Sequence, residues 1–206
     1  MARALRLRAP SFRIAVSAAV LAAIWFEMLT LGTGALDEIV LRALYAGYDP
    51  LLAGVARGFT LFGEWWLVIA VSVVASIWLL FARNWRWAVA VLAVTLVGRA
   101  LVSAQKYGIE RLRPGDQAHL VPVSTPSFPS GHAAGSMIVY LTLALLLTAG
   151  TRWKWPAVIA AITLSAFVGL SRIMLGVHWP TDVVGGWAFG LLWVLIALPL
   201  AERLLE

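Results

Sequence analysis

Six long apolar stretches, nearly free of charge, constrain the fold of this 206-residue chain more than any other feature. A helix needs about 20 apolar residues to cross the hydrocarbon core of a bilayer. The stretches that meet or approach this length are Ile14 to Leu36, Trp65 to Ala82, Trp87 to Gln105, Ala133 to Thr151, Trp155 to Ser171 and Val183 to Ala201. The sequence therefore predicts an all-α integral membrane protein, a bundle of six transmembrane helices that forms a single domain over residues 1–206.

The composition supports this fold class and excludes several functions. Hydrophobic residues make up 62% of the chain and charged residues 13%, against about 25% charged residues in a typical soluble domain. The net charge of +6 does not indicate nucleic-acid binding, because the basic residues flank apolar stretches, where they orient helices in a bilayer. The chain has no cysteine, which excludes disulfides, thiolate catalysis and cysteine-bound metals.

The basic flanks also predict the orientation of the bundle. The first stretch follows Arg3, Arg6, Arg8 and Arg13 and so resembles a signal peptide, but Glu27 within it favours a retained anchor. If the N-terminus is cytoplasmic, nine Lys and Arg residues lie on the inner side and six on the outer side. We therefore expect cytoplasmic N- and C-termini, in what the sequence suggests is a bacterial inner membrane.

A short amphipathic segment lies between the first two apolar stretches. The apolar residues of 36–44 recur at helical spacing, with Glu38 and Arg42 on the opposite side, which predicts a helix lying on the outer surface of the membrane. The pair Asp49-Pro50 is then expected to break the chain away from helix.

Four further polar residues have individual interpretations. Glu27 and Arg99 lie within predicted spans, and either they neutralise each other inside the bundle or each faces water or the membrane interface. Arg111 is interpreted as an ordinary flanking anchor, and His119 as a solvated loop histidine.

Most polar residues outside the helix flanks concentrate in three segments, residues 106–114, 129–132 and 171–182. In an up-and-down bundle these segments lie at one face of the membrane. The third stretch leaves the membrane where the fourth enters, and the loop after the fifth returns to the same side. Titratable residues that converge in this way are typical of a catalytic or binding site.

The first two segments are suited to binding phosphate. Lys106 and Arg113 are seven residues apart and share one face if the helix continues that far. A guanidinium can bind two phosphate oxygens at once, and an ammonium supplies a point charge. Ser130 and Gly131 precede a predicted helix start, where backbone N–H groups favour an anion, and His132 stands beside them.

The third segment supplies a candidate nucleophile. Asp182 lies four residues after His178, so its carboxylate can accept the Nδ1 proton and leave Nε2 free to attack phosphorus. Pro180 suits the first turn of a helix that would carry Asp182. No carboxylate cluster is available for Mg²⁺, so Lys106, Arg113 and Arg172 are expected to neutralise the phosphate charge.

Together, the three segments resemble the signature motifs of the type 2 phosphatidic acid phosphatase superfamily of membrane-bound lipid phosphate phosphatases. The matching patterns are Lys106-x6-Arg113-Pro114, Pro129-Ser130-Gly131-His132 and Ser171-Arg172-x5-His178-x3-Asp182. The predicted spans extend this similarity to nearly the whole chain.

The resemblance implies a role for each matching residue and no metal or other cofactor. His178 attacks phosphorus and forms a phosphohistidine, Asp182 orients His178, and His132 protonates the leaving oxygen and then helps to activate water. The residues implied to bind the phosphate are Lys106, Arg113, Ser130, Gly131 and Arg172.

The expected activity is metal-independent hydrolysis of a lipid phosphate or diphosphate at the outer face of the membrane. The leading candidate substrates are undecaprenyl diphosphate and phosphatidylglycerophosphate. One alternative is a phosphotransferase that passes the phosphoryl group to an acceptor such as lipid A. A non-enzymatic transporter is the alternative of a different class, since ionisable residues at one membrane face can also line a pathway.

Overall fold

The computed structural model describes residues 12–205, so the basic segment with Arg3, Arg6 and Arg8 lies outside the described residues. The described chain contains eight α-helices, one short 3-10 helix and no strand. The helices are α1 Phe12–Leu31, α2 Ala35–Leu44, α3 Pro50–Leu61, α4 Trp65–Phe81, α5 Trp85–Ile109, α6 Gly131–Leu147, α7 Lys154–Met174 and α8 Pro180–Leu205, with the 3-10 helix at Ala46–Tyr48. The predicted all-α architecture is confirmed.

Four of these helices, α1, α5, α7 and α8, are long and apolar enough to cross a membrane by length and composition. The chain bends by 106° between the segments Ala35–Tyr48 and Pro50–Leu61, and a fifth candidate arises if this bent pair is one broken span. Helices α4 and α6 are apolar but shorter, with 17 residues each. Every predicted stretch lies largely on one of these helices.

The first predicted stretch is too long at its C-terminal end. Helix α1 ends at Leu31, because Gly32 takes a left-handed conformation with a φ of 60° and turns the chain. Leu36 belongs to α2, which is the predicted surface helix. Asp37 is a buried residue of α2. Its carboxylate accepts hydrogen bonds from the N–H (2.9 Å) and the hydroxyl (2.6 Å) of Thr181. Helix α2 is thereby fixed to the start of α8.

The predicted break at Asp49-Pro50 is wrong, because these two residues begin helix α3. The Asp49 carboxylate accepts hydrogen bonds from the N–H groups of Leu51 (2.8 Å) and Leu52 (3.1 Å). Pro50 occupies the first helical position, where its missing N–H leaves no bond unmade. The sequence therefore carried a start signal for a helix that we interpreted as a break.

Helix α8 packs against α1, α5, α6 and α7 and forms the centre of the bundle. It approaches α6 closely at glycines: a Cβ atom at Gly186 would lie 2.8 Å from the carbonyl oxygen of Ser130, and one at Gly190 would lie 3.0 Å from that of Ala134. Small residues allow this close helix packing in membrane proteins. The contact matters for the site because it holds the start of α6 against the first turns of α8.

The hypothesised charge pair inside the bundle does not form. The guanidinium of Arg99 lies 5.3 Å from the ring centre of Trp65, and within residues 12–205 no ion pair joins it to Glu27. Helix α1 instead contacts α5 through Trp25, whose Nε1 donates to Oε1 of Gln105 at 2.9 Å.

Candidate active site

The three polar segments meet at one end of the bundle, where α5 and α7 end and α6 and α8 begin. They enclose a cavity of about 580 Å³. Ser130 and Asp182 are fully buried and lie outside the cavity lining. The other six predicted site residues line it: Lys106, Arg113, Gly131, His132, Arg172 and His178.

His178 and Asp182 form the pair that the sequence predicts. His178 is 1% exposed and lies in the connection between α7 and α8, and Asp182 lies one turn later in α8. The distance from His178 Nδ1 to Asp182 Oδ2 is 3.2 Å. The same oxygen accepts hydrogen bonds from the N–H of Trp179 at 2.9 Å and from the hydroxyl of Ser127. The carboxylate is therefore held in one position beside the imidazole.

The neighbours of His178 define its tautomer. Nη1 of Arg113 lies 3.2 Å from Nε2 of His178. A guanidinium can only donate hydrogen bonds, so Nε2 accepts and the ring proton sits on Nδ1, facing Asp182. Burial lowers the pKa of His178 well below its usual value, and the positive charges of Arg113 and Lys106 lower it further. His178 is thus neutral, with the lone pair of Nε2 directed at a cation of the cavity wall.

Arg111 is not the flanking anchor that we predicted, since it is buried behind the site. Its Nη1 donates to Oδ1 of Asp182 at 3.0 Å. Its Nη2 donates to the carbonyl oxygens of Met28 (3.0 Å) and Leu29 (2.8 Å) at the C-terminal end of α1. The guanidinium carbon lies 4.3 Å from the ring centre of Phe128. Arg111 therefore connects the carboxylate behind His178 to the first helix.

Backbone carbonyl groups fix two of the three predicted phosphate-binding cations. Nζ of Lys106, near the end of α5, donates to the carbonyl oxygen of Pro126 at 2.5 Å. Arg113 donates through Nε to the carbonyl oxygen of Thr125 at 2.8 Å and through Nη1 to that of Val177 at 2.5 Å. Both cations are thus oriented before any ligand binds.

Arg172, near the end of α7, is the third cation of the cavity wall. It is 3% exposed, and its Nη1 donates to the hydroxyl of Thr60 at 2.6 Å. Its Nε is buried and has no hydrogen-bond partner in the described chain. Since a buried donor without a partner is costly and Arg172 lines the cavity, we expect this N–H to bind an oxygen of a ligand there. Within residues 12–205, no three His, Asp or Glu side chains lie together as metal ligands would.

The start of α6 presents backbone N–H groups to the cavity. Ser130 is the N-cap, and its hydroxyl oxygen accepts a hydrogen bond from the N–H of Ala133 at 3.5 Å. The N–H of Ser130 donates to the carbonyl oxygen of Asp182 at 2.9 Å, so the Ser130 backbone is tied to α8 while its hydroxyl caps α6. Gly131 and His132 form the first turn, where N–H groups lack intrahelical partners and the helix dipole favours an anion.

Glu64 faces His132 across the cavity, and the sequence analysis missed it. Its Oε1 lies 3.3 Å from Nε2 of His132, which is close enough for an ion pair although the atoms are not aligned as a hydrogen bond. This contact holds the pKa of Glu64 below its usual value. The charged carboxylate in turn favours the protonated form of the imidazole, against the burial and the nearby charge of Arg172, which disfavour it.

His119 is an exposed loop residue whose Nε2 lies 2.7 Å from the carbonyl oxygen of Pro114, which agrees with the predicted loop histidine. Sequence reasoning missed Arg111, Ser127 and Glu64. A usable signal existed only for Glu64, an acidic residue at the immediate start of an apolar span.

Comparison with known proteins identifies the family. The sequence profile of the PAP2 superfamily matches residues 87–205, which include all three polar segments. The chain belongs to the PAP2 superfamily. The predicted resemblance is thus confirmed, and with it the classification as a membrane lipid phosphate phosphatase.

Individual relatives agree with this classification. The chain is 35% identical over 160 residues to phosphatidylglycerophosphatase B of Bacillus subtilis, covering 76% of this chain and 78% of the relative. It is 33% identical over 122 residues to the undecaprenyl-diphosphatase of Sulfolobus acidocaldarius, covering 57% and 56%. The crystal structure of a transmembrane PAP2-type phosphatidylglycerolphosphate phosphatase from Bacillus subtilis superposes with a TM-score of 0.83 at 30% identity, covering 91% of this chain and 96% of that one. The chain is therefore an integral membrane protein with the PAP2 transmembrane fold.

Proposed function

We propose that this phosphatase acts through a covalent phosphohistidine at His178. The observation that carries the proposal is the pair of contacts on its ring, with Asp182 on Nδ1 and Arg113 on Nε2 at 3.2 Å each. A phosphate that displaces Arg113 from Nε2 keeps this cation as a ligand of its oxygens. The lone pair of Nε2 then forms the N–P bond as the P–O bond to the lipid breaks.

His132 is the proposed acid of the first step and the base of the second. It gives a proton to the lipid oxygen as the P–O bond breaks, and Glu64 at 3.3 Å stabilises its protonated form. A water then attacks phosphorus, His132 takes a proton from that water, and the N–P bond breaks to release phosphate. Asp182 keeps the proton on Nδ1 and balances the positive charge that develops on the ring.

The phosphate is bound by cations and backbone N–H groups rather than by a metal in this proposal. Lys106, Arg113 and Arg172 neutralise its charge, and the N–H groups of Gly131 and His132 bind its oxygens. Ser130, the N-cap of α6, holds these groups in place. Such preorganised donors stabilise the charge of the transition state without reorganising during the reaction.

The proposed substrate is a lipid with a terminal phosphate, and phosphatidylglycerophosphate and undecaprenyl diphosphate are the first candidates. These two candidates are supported by sequence similarity, since the chain is 35% identical to a phosphatidylglycerophosphatase and 33% identical to an undecaprenyl-diphosphatase. The described chain has no soluble domain around the cavity, so the bilayer itself presents the lipid tail.

We further propose a single domain with six spans, cytoplasmic termini and an outward-facing site in a bacterial inner membrane. At 17 residues, α4 and α6 reach the lower end of the range of about 17 to 25 residues for a span. Four of the six basic residues on the outer side line the cavity, namely Arg57, Lys106, Arg113 and Arg172. With these set aside, the inner side is clearly the more basic one, as the positive-inside rule expects.

The experiment is phosphate release by detergent-purified protein in EDTA, measured on phosphatidylglycerophosphate, undecaprenyl diphosphate and phosphatidic acid. We expect release from at least one lipid, loss of this release in His178→Gln, and phosphorylation of His178 in rapidly quenched wild type. The matched control is His119→Gln, an exposed loop histidine. Release in the His178→Gln variant would contradict the nucleophile. Release that requires a lipid acceptor would support a phosphotransferase instead.

A further inference from the structure

The cavity extends well beyond the groups that bind the reacting phosphate. On α5 it is lined by Thr95, Arg99, Val102, Ser103 and Lys106, whose spacing of three to four residues places them on one face of the helix. Arg99 and Lys106 lie two turns apart, or about 10 Å along the helix axis. The wall that carries the phosphate-binding lysine therefore carries a second cation, which belongs to a residue two turns earlier in α5.

No carboxylate neutralises Arg99. Within residues 12–205 it forms no ion pair, and its guanidinium rests on the ring of Trp65 at 5.3 Å. Trp65 is the first residue of α4, so the side chain of Arg99 reaches toward the end of the bundle where the cavity lies. An ionisable side chain inside an apolar span is costly and usually marks a functional site. The contact with Trp65 holds the guanidinium in one orientation, which favours binding of an anion.

Arg57 of α3 adds a further positive charge to the cavity wall. Among residues 12–205 its hydrogen bonding is limited to one long contact, 3.5 Å from Nη2 to the carbonyl oxygen of Leu120. At about 580 Å³ the cavity has the size of sites that hold whole small-molecule ligands. It therefore has room for more than a single phosphate group.

We propose that Arg99 forms a second anion subsite, which binds a further phosphate group of the substrate, located between the reacting phosphate and the lipid tail. This inference rests on the proposed hydrolysis at His178. In this proposal the terminal phosphate lies at His178 and Lys106, and the next phosphate lies at Arg99 on the same wall of the cavity. The apolar residues Val68 and Ile69 of α4 line the cavity beside it, where a tail would begin.

The chemistry of this subsite favours lipids with two phosphate groups over lipids with one. A guanidinium binds two oxygens of a phosphate at once. The second phosphate is joined through a glycerol in phosphatidylglycerophosphate and directly in a diphosphate, so the two lipids place it at different distances from His178. Because the second phosphate is bound before and during the reaction, its contact with Arg99 should lower KM more than it raises kcat.

The test compares matched substrates in two pairs, phosphatidylglycerophosphate with phosphatidic acid and farnesyl diphosphate with farnesyl phosphate. For each pair we define selectivity as kcat/KM of the two-phosphate lipid divided by that of the one-phosphate lipid. Losing one charge-assisted contact should lower the selectivity of Arg99→Gln by about ten- to a hundredfold, mainly through KM. The Arg99→Lys variant should fall between Arg99→Gln and wild type, and the pair with the larger drop identifies how the two phosphates are joined.

The matched control is Arg152→Gln, which removes an arginine that lies over Trp153 at 5.3 Å at the other end of the bundle, after α6. It should keep the selectivity of the wild type. The subsite is overturned if Arg99→Gln keeps that selectivity, or if both members of each pair lose activity equally in a folded variant. Failure of the proposed function looks different, because the wild type would then release phosphate from none of the four lipids.

Discussion

Arg111 donates to Asp182 at 3.0 Å in an ion pair that water barely reaches, since the two side chains are 9% and 0% exposed. The same guanidinium binds the last carbonyl groups of α1 through Met28 and Leu29. The orientation of the carboxylate behind His178 thus depends on an arginine that never lines the cavity. We therefore regard Arg111 as a positioning residue.

Replacing Arg111 should impair both folding and turnover. Arg111→Gln leaves the buried carboxylate of Asp182 without its counter-charge, which should reduce the free energy of unfolding by about 3 kcal/mol or more. If the Asp182 carboxylate shifts, it no longer holds His178 in the correct orientation. We therefore expect kcat to fall roughly a hundredfold while KM changes little. Thermal unfolding in detergent and steady-state kinetics measure the two effects.

A surface arginine provides the control for Arg111. Arg42 pairs with Glu38 at 3.4 Å and with Asp116 at 3.6 Å, and all three side chains are about half exposed or more. Arg42→Gln should change stability by less than about 1 kcal/mol and leave kcat unchanged. If Arg111→Gln behaves like Arg42→Gln, Arg111 does not position Asp182.

His178 should stay neutral at pH values where an ordinary histidine is protonated. Burial is the main cause of its lowered pKa, and the charge of Arg113 is the next. Removing that charge in Arg113→Gln should therefore raise the pKa toward the ordinary value near 6.5, because the imidazolium loses a repelling neighbour.

Histidine-labelled NMR in detergent can follow this titration directly, since the chain contains three histidines. Each signal is assigned with a His→Gln variant, and exposed His119 serves as the internal reference. We expect the wild-type His178 signal to show no titration step down to pH 5.5, and the step in Arg113→Gln to lie at higher pH. A wild-type step near pH 6.5 would contradict the proposed environment of His178.

His132 can be tested as an acid through the leaving group. A lipid alkoxide is a poor leaving group and needs a proton, so His132→Gln should slow release from phosphatidic acid by about 10²- to 10⁴-fold. p-Nitrophenolate leaves without help, so the same variant should lose about tenfold or less on p-nitrophenyl phosphate when phosphorylation limits the rate. Glu64→Gln should show the same substrate dependence to a smaller degree. Equal losses on both substrates would argue that His132 only binds the phosphate.

Much of the site could be predicted from the sequence because its chemistry sits in short local patterns. Asp182 lies four residues after His178 in the first turn of α8, and Ser130 is the N-cap of α6, so both positions depend on the local geometry of a helix start. The convergence of the three segments followed from alternating spans. These inferences required no knowledge of how the helices pack.

The parts that could not be predicted depend on tertiary packing. Arg111 lies two residues from Arg113, and nothing local indicates that one side chain turns behind Asp182 while the other enters the cavity. Ser127 lies between motifs and bonds to Asp182, 55 residues away in the chain. Helix α3 is a different case, since Asp49 and Pro50 are an ordinary start signal that we read as a break.

The close packing of α8 against α6 should be needed for activity, because it controls the geometry of the site. A Cβ atom at Gly186 would lie 2.8 Å from the carbonyl oxygen of Ser130 and 3.0 Å from Cβ of Ala133. Since a backbone carbonyl cannot move aside as a flexible side chain would, Gly186→Ala must push the two helices apart. The bond from Ser130 N–H to the Asp182 carbonyl oxygen, 2.9 Å long, joins the same two helices and should lengthen.

We therefore expect Gly186→Ala to lower both the unfolding temperature and kcat, although no polar group of the site is changed. An overpacked contact of this kind typically costs about 1 to 3 kcal/mol. Gly54→Ala in α3 is the matched control, because a Cβ atom there meets nothing within 4 Å. Alanine is also the better helix former, so this variant should be neutral or stabilised by up to about 1 kcal/mol. If the two variants show equal stability and activity, the close approach of α6 and α8 does not control the geometry of the site.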